Sequence, residues 1–136
     1  MAGRWLAGSL LAGCCALGVG TVSAQQATPQ APPVDAAAAK RGESLFQGRG
    51  CIGCHSIGKG KRLGPDLAGV TERRDRDWLR RWLTNPTPMF ETDSTAKALL
   101  AQYNNTKMPN LRLKDDEIEA LLQYIQQEST KAASAH

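Results

Sequence analysis

The stretch Cys51-Ile52-Gly53-Cys54-His55 decides how the rest of the chain is interpreted. Two cysteines separated by two residues, with a histidine directly after them, form the attachment signature of a c-type haem. Each thiol adds across one vinyl group of the porphyrin, and one short turn spans both vinyls. The histidine is then carried beneath the macrocycle, where its imidazole can bind the iron as proximal ligand. We therefore predict that Cys51 and Cys54 attach one haem and that His55 ligates its iron.

Two other kinds of site use paired cysteines at this spacing, namely redox-active dithiols and zinc sites. A zinc site needs further ligands, but the other cysteines are Cys14 and Cys15 near the start of the chain, and the other histidine is the terminal His136. A thioredoxin-like dithiol needs alternating strands and helices, a pattern that we do not find. Haem attachment is preferred, and a thiol or metal site remains the alternative.

The first 24 residues have the composition of a cleaved export signal. A short positive region is followed by an apolar run, and Val22-Ser23-Ala24 resembles a cleavage site. Leu11-Ala12-Gly13-Cys14 also resembles a lipobox, in which the cysteine is acylated after cleavage. Because apolar sequence continues well past Cys14, we favour cleavage after Ala24. We expect an exported, periplasmic protein that is anchored to a membrane only if Cys14 is lipidated.

The segment after the predicted leader is rich in Gln, Ala and Pro, and residues 25–34 are predicted to form a flexible linker. Removal of Arg4 with the leader leaves 16 basic and 13 acidic residues, a net charge of +3. This modest excess does not indicate nucleic-acid binding, although it favours an acidic partner surface. The domain that follows, residues 35–128, is too small to bury a large core by itself, and a large apolar cofactor would complete that core.

The first helix of this domain is predicted to begin at Asp35, whose side chain can cap it, and to end near Gly48 and Gly50. Its inward face follows the helical spacing of Ala38, Gly42, Leu45 and Phe46. The glycine within that face costs about 1 kcal/mol relative to alanine. It either allows another helix to approach closely or is a tolerated defect.

Three further helices are predicted from apolar spacing and capping residues, and no strand is predicted. One runs from Asp77 to Asn85-Pro86, and the next begins at Asp93 or Ser94 and ends at Asn104-Asn105. The last opens at Asp115 and carries the clearest stripe in the chain, formed by Ile118, Leu121, Leu122 and Ile125. The inward residues of the middle two helices are Trp78, Leu79, Trp82, Leu83, Leu99, Leu100 and Tyr103. Residues 129–136 are polar and are predicted to form a disordered tail.

The tryptophans at positions 78 and 82 lie one helical turn apart. Such a pair is usually part of the core, but beside a haem it can pack on the porphyrin with an indole N–H facing a propionate. We assign Trp78 to the cofactor site. Five arginines surround this helix and form either a solvated face or, as the minority interpretation, a propionate contact or docking surface: Arg73, Arg74, Arg76, Arg80 and Arg81.

A haem iron with one histidine needs a second axial ligand or has an open site. His136 lies on the polar tail, so bis-histidine ligation is not expected. Met89 and Met108 both lie in proline-restrained loops, and Lys107 is a remote alternative. A methionine is usually core filler, but a thioether ligand suits a stable electron carrier and raises its reduction potential.

Taken in order, these motifs resemble the small class I cytochromes c over roughly residues 36–127. The resemblance rests on Gly42 and Phe46, the haem motif at 51–55, Gly64-Pro65-Asp66-Leu67, Met108-Pro109 and Leu121-Leu122-Gln123-Tyr124. One departure is that Phe46 lies one residue further from the first haem cysteine than is usual. The segment from Trp78 to Met89 and the run Met108-Pro109-Asn110-Leu111 also resemble cytochromes encoded beside Sco-type copper chaperones.

The resemblance implies a fold of about four helices around one covalently bound haem c, with the first and last helices crossing at Gly42. It also implies that Phe46 and Tyr124 pack near the crossing, that the Pro65 carbonyl orients His55, and that Met108 is the distal ligand. The position of Met108 in the loop before the last helix favours the same methionine.

The function predicted from these features is a monohaem carrier of single electrons between redox partners outside the cytoplasm, in respiratory electron transfer. We expect a monomer with no catalytic residues and no nucleic-acid partner. The sequence does not name its electron donor and acceptor, and a terminal oxidase or a copper protein is a candidate. One alternative is a haem-based ligand binder or peroxidase-like protein with an open distal site. The other is a copper-handling or thiol-redox accessory protein.

Overall fold

The structure is a computed structural model that describes residues 33–135. These residues form helices joined by turns and loops, with no strand among them, so the all-α prediction is confirmed. In chain order the helices are α1 (Ala36–Gly48), α2 (Cys51–Cys54), α3 (Val70–Arg73), α4 (Arg76–Thr84), α5 (Met89–Thr92), α6 (Ser94–Gln102) and α7 (Asp115–Ser134). Four of them, α1, α4, α6 and α7, have nine residues or more, and the other three are single turns.

Some predictions concern parts of the chain outside the described residues. They are the cleaved leader with Cys14 and Cys15, nearly all of the linker, and the final residue, His136. Of the helices in the described part, none combines the length and apolar character needed to span a bilayer.

The first helix begins as the sequence predicts, because the Asp35 carboxylate accepts hydrogen bonds from the backbone N–H groups of Ala37 (2.9 Å) and Ala38 (3.2 Å). Its buried residues are Ala39, Gly42 and Phe46. The buried alanine is therefore Ala39, one position later than the predicted Ala38. After the helix ends, Gly50 adopts a φ of 79°, a left-handed conformation that glycine enters without strain, and the chain turns directly into the cysteine motif.

The first and last helices cross at Gly42. A Cβ atom at this position would overlap the Ala120 carbonyl and would lie 2.6 Å from its carbon and 2.7 Å from Tyr124 Cβ. The rings of Phe46 and Tyr124 meet beside the crossing, with centroids 5.5 Å apart and planes tilted by 54°. The crossing and the aromatic contact implied by the resemblance are thus confirmed, and Gly42 is required for close helix packing.

The last helix also begins as predicted, with Asp115, Asp116 and Glu117 in its first turn, where acidic side chains favour the helix dipole. Glu117 accepts a hydrogen bond from the Lys114 backbone N–H at 2.9 Å. The predicted stripe of Ile118, Leu121, Leu122 and Ile125 is buried throughout and forms the centre of the core.

The prediction of a disordered tail from Ser129 is wrong, since α7 continues without a break to Ser134. Ser129 is buried, and its hydroxyl donates to the Ile125 carbonyl (2.6 Å) while it accepts from the Gly69 backbone N–H (2.9 Å). The polar side chain is thus satisfied inside the protein, and it ties α7 to the turn that begins α3.

The fourth helix packs across α7 through both apolar and charged contacts. Its buried residue Leu79 joins the core cluster that contains Leu121 and Leu122. Arg76 and Arg80 both form ion pairs with Glu119 of α7, the latter at 2.6 Å. This docking places Trp78 against the same core cluster as Cys51.

Candidate haem-binding site

The cysteine motif lies on the single-turn helix α2, so Cys51 and Cys54 are three residues apart on one face. The turn is closed by a hydrogen bond of 2.9 Å from the His55 N–H to the Cys51 carbonyl. His55 then takes an extended backbone conformation and leads the chain out of the turn. All three side chains are half-buried and line one cavity. The motif therefore presents two thiols and an imidazole to a shared space.

The orientation of His55 is fixed by its second ring nitrogen. Its Nδ1 lies 2.8 Å from the Pro65 carbonyl oxygen. Because a carbonyl can only accept, the proton must be on Nδ1, which leaves Nε2 as the nitrogen with a free lone pair. A ligating histidine normally has such a partner, so the arrangement suits iron ligation through Nε2. The Pro65 contact implied by the resemblance is present.

The loop that supplies this carbonyl is held by Asp66. Its carboxylate accepts hydrogen bonds from the N–H groups of Gly58 (2.9 Å), Gly60 (2.6 Å) and Ala68 (2.7 Å) and from the Ser56 hydroxyl (2.8 Å). Partial burial alone would raise the pKa of Asp66, but these donors together lower it to about 2. No role was predicted for Asp66 from the sequence. The sequence feature that could have indicated this role is a carboxylate directly after a glycine-rich loop, because the backbone N–H groups of such a loop need an acceptor.

Of the two candidate methionines, Met108 lines the cavity of the cysteine motif. Its Sδ accepts a hydrogen bond from the indole Nε1 of Trp82 at 3.0 Å. Met89 is buried in a cluster with Phe90 and Ala96 and is not part of the cavity lining. Lys107 also lines the cavity, but its ammonium lies over the Phe90 ring, 5.7 Å from the centroid. The geometry therefore makes Met108 the sulfur donor best placed for the cofactor.

Trp78 also lines this cavity, in agreement with its assignment to the cofactor site. Its ring stacks on that of Trp82, with centroids 5.2 Å apart and planes 10° from parallel. Its indole N–H, however, donates to the Asp93 carboxylate at 2.9 Å. Asp93, which also caps α6, accepts this hydrogen bond, and a contact of the N–H with a propionate stays a prediction.

The arginines around α4 divide into two groups. Arg76 and Arg80 pair with Glu119, and Arg81 is exposed, so these three form a surface face as the simpler interpretation held. Arg73 and Arg74 instead lie on the cavity lining. They give the cavity two cationic groups that suit the carboxylates of a porphyrin.

The rest of the lining fits a large, flat, apolar group. It contains aliphatic and aromatic side chains from α4, α6 and α7, among them Leu79, Leu83, Leu99, Leu100, Leu121 and Ile125. Among its polar groups, two thiols, one imidazole, one thioether and two guanidinium groups are those that a c-type haem would use, and the others include Asp66, Tyr103, Thr106 and Lys107. The residues present therefore fit this cofactor.

The Cys51 thiol differs from the nucleophilic thiol of a redox-active dithiol. Burial, with a smaller contribution from the neighbouring Cys54, raises the pKa of the Cys51 thiol. A reactive dithiol needs the opposite change, because the thiolate is the nucleophile. Within residues 33–135, no group of three or more His, Cys, Asp or Glu side chains is arranged to hold a metal ion. The raised pKa of the Cys51 thiol therefore argues against a reactive dithiol.

Comparison with known proteins agrees with this site. The family model described as cytochrome c matches residues 39–129, which is more than half of the chain. This chain belongs to the cytochrome c family. It is a small class I c-type cytochrome, and as a member of this family it binds haem c covalently and carries electrons.

The cytochrome is similar to a cytochrome c-553-like protein of Synechocystis sp., with 35% identity over 72 residues that cover 50% of this chain and 68% of the relative. Among solved structures it resembles cytochrome c from Rhodothermus marinus, with 30% identity, a TM-score of 0.68, and coverage of 76% of this chain and 87% of the other. The cytochrome c domain of the pp3183 protein from Pseudomonas putida is 43% identical over 66% of this chain and 89% of that domain, with a TM-score of 0.59.

Proposed function

We propose that this cytochrome carries single electrons between redox proteins outside the cytoplasm, as part of a respiratory chain. The observation that carries the proposal is the meeting of His55 and Met108 on one largely apolar cavity, beside the two cysteines. A histidine and a thioether together fill both axial positions of an iron, and this ligand pair is typical of electron carriers with a raised reduction potential.

When bound, the haem supplies a one-electron couple between ferrous and ferric iron. The protein's own contribution is to hold that group rigidly and keep water away from it. Cys51 and Cys54 fix its edge, and the Pro65 carbonyl holds His55 in one tautomer. Met108 blocks the position that an external ligand would need. None of these roles involves a catalytic base or a nucleophile, so we propose a carrier rather than an enzyme.

The surface around the attachment turn is suited to brief contact with another protein. Ile52 and Leu63 are the exposed large apolar side chains of the described residues, 50% and 57% exposed respectively. The Arg62 guanidinium donates to the Ile52 carbonyl at 2.7 Å, which holds the loop bearing Leu63 against the turn. The exposed side chains of Lys59 and Lys61 lie in the same loop. We propose that an acidic redox partner docks here, steered by charge and seated on the apolar pair.

The proposed location rests on the N-terminal sequence and on the type of cofactor. A leader ending at Val22-Ser23-Ala24 would deliver the chain to the periplasm, and the mature protein would begin at Gln25. N-terminal mass analysis of the native protein tests this, because a lipid on Cys14 would instead make residues 25–34 a membrane tether. We expect the electron donor and the electron acceptor, whether a terminal oxidase or a copper protein, to lie in the same compartment.

The function is tested with protein matured in an export-competent host. We expect one haem per chain that stays attached after acid–acetone extraction, reversible one-electron oxidation, and a ferrous form that does not bind carbon monoxide. As a comparison, Met108→Ala should bind carbon monoxide because the distal position is opened. Rapid carbon monoxide binding or turnover of peroxide by the unaltered protein would favour the ligand-binder or peroxidase alternative. Two titratable thiols in a colourless protein would favour the thiol-redox alternative.

A further inference from the structure

We propose that Trp82 is a positioning residue for the axial sulfur: its indole N–H holds the Met108 thioether in one orientation and raises the reduction potential of the site. This inference rests on the proposed ligation by Met108. It identifies the residue that orients the axial sulfur. Neither the CxxCH motif nor membership of the cytochrome c family specifies that residue.

The contact joins the one donor of an indole to the one weak acceptor of a methionine side chain. Trp82 Nε1 lies 3.0 Å from Met108 Sδ, and the two residues are 26 positions apart in the chain. Both side chains are half-buried and line the haem cavity. The N–H is therefore directed at the very atom that we propose as axial ligand.

The indole cannot easily turn away from this position. One face of its ring stacks on Trp78 with centroids 5.2 Å apart, and the Phe90 ring meets it edge-on at 5.3 Å and 77°. Trp78 is in turn fixed by its hydrogen bond to Asp93, and Phe90 is buried. The packed aromatic rings therefore hold the indole N–H of Trp82 in a fixed position, so its hydrogen bond to Met108 is pre-organised.

The sulfur, by contrast, needs external restraint. A methionine side chain has three rotatable bonds and samples many positions, so the loop backbone alone does not fix its sulfur. A thioether sulfur has two lone pairs. When one lone pair accepts the indole N–H, the other lone pair remains available to the cavity. The hydrogen bond also restricts rotation about the terminal bonds of the methionine side chain. Trp82 therefore selects which lone pair Met108 offers to the cavity.

The same hydrogen bond changes the strength of the sulfur as an electron donor. An N–H that withdraws density from the thioether makes it a poorer donor to ferric iron, whereas the ferrous form depends less on that donation. Hydrogen bonds around ligands tune metal sites in this way. Loss of the N–H should therefore stabilise the ferric form and lower the reduction potential.

The test compares Trp82→Phe with the parent holoprotein. We expect a lower reduction potential, a shifted ferric sulfur-to-iron charge-transfer band, and several-fold tighter binding of imidazole, because the sulfur is more easily displaced. Phenylalanine is smaller than tryptophan and could disturb packing. A second variant therefore replaces Trp82 by benzothienylalanine, which keeps the bicyclic shape and removes only the donor. Both variants should lower the potential.

The matched control makes the same benzothienylalanine replacement at Trp78, whose N–H donates to Asp93 rather than to sulfur. It should lower the thermal stability but move the potential and the band less than the replacement at Trp82. Equal shifts at the two positions, or no shift at Trp82, would overturn the inference. A parent protein that lacks the charge-transfer band would show that Met108 is not the ligand, and this failure of the proposed ligation is distinct from failure of Trp82 alone.

Discussion

Gly64 lies directly against the imidazole ring of His55. A Cβ atom on Gly64 would lie 2.6 Å from His55 Cε1 and 3.0 Å from Nδ1, closer than real Cβ contacts allow. The Gly64 N–H also donates to the Cys54 carbonyl at 2.8 Å. The loop backbone can therefore touch both the attachment turn and the ligand ring only because this residue has no side chain.

The first prediction concerns this close approach. Gly64→Ala should push the His55 ring away from the Pro65 carbonyl and lower the free energy of unfolding by about 1–3 kcal/mol, the usual cost of an overpacked contact. The matched control is Gly48→Ala, since a Cβ at Gly48 would meet nothing within 4 Å. Denaturant unfolding and the histidine ring signals in NMR measure the two effects. Equal stability of the two variants would show that the ring can move aside freely.

The second prediction concerns Asp66 and acid. Its folded pKa of about 2 lies below the ordinary 3.8, so the ionised carboxylate is the form that stabilises the fold. That stabilisation is fully present above about pH 4 and is lost as the pH falls through about 2. Asp66→Asn should lower stability by about 1–2 kcal/mol at neutral pH, because several N–H donors lose a charged acceptor.

The pH dependence distinguishes this from a general packing defect. The difference in unfolding free energy between the parent and Asp66→Asn should shrink as the pH is lowered from about 5 towards about 2. Asp77→Asn, which changes an exposed carboxylate on α4 that accepts none of the hydrogen bonds of the Asp66 loop, serves as the control and should leave stability at neutral pH close to that of the parent. A difference that stays constant with pH would mean that the Asp66 carboxylate does not titrate as described.

Much of the fold could be predicted because its signals are local. The cysteine motif lies within five residues, the stripe of Ile118, Leu121, Leu122 and Ile125 has helical spacing, and the caps at Asp35 and Asp93 lie beside the helices they begin. Each of these features can be recognised from residues that lie close together in the sequence. The end of α6 is similar, since Asn104 and Asn105 take left-handed conformations with φ of 54° and 58°, which asparagine tolerates well.

What the sequence analysis missed depends on contacts between distant residues. The polar side chain of Ser129 is typical of a solvated tail, but in the structure it accepts a hydrogen bond from Gly69, 60 residues earlier. The indole N–H of Trp82 donates to a sulfur 26 residues later, and that of Trp78 donates to Asp93, 15 residues later. No periodicity or propensity specifies such pairs, because they are set by how helices pack. The polar partners within the site therefore required the structure.

The third prediction concerns charge near the attachment turn. Reversal of Lys59 and Lys61 to glutamate should slow oxidation by an anionic reagent such as hexacyanoferrate several-fold at low salt, and should speed reaction with a cationic reagent such as hexaammineruthenium. The effect should fade as salt is added. Stopped-flow rates measure it, with Lys40→Glu on α1 as a control whose side chain is exposed and absent from the cavity lining. Equal effects in the control would argue against docking at the Ile52–Leu63 surface.

The last prediction separates the two methionines. Met108 lines the cavity and bonds to Trp82, whereas Met89 is only 7% exposed within the cluster of Phe90 and Ala96. Met108→Ala should therefore abolish the ferric sulfur-to-iron charge-transfer band, lower the reduction potential and admit exogenous ligands to the iron. Met89→Ala should keep the band but lower the free energy of unfolding by about 2–5 kcal/mol, because it leaves a cavity in a packed core.

Absorption spectra, potentiometric titration and denaturant unfolding of the two holoproteins measure these effects side by side. The pair is well matched, since each variant removes the same side chain and only its surroundings differ. The reverse pattern would assign the ligand to Met89, against its position outside the cavity lining. A band that survives in both variants would mean that either methionine can supply the sulfur. A band absent from the parent protein would remove methionine from the axial position and direct attention to Lys107, whose ammonium would have to leave the Phe90 ring to reach the iron.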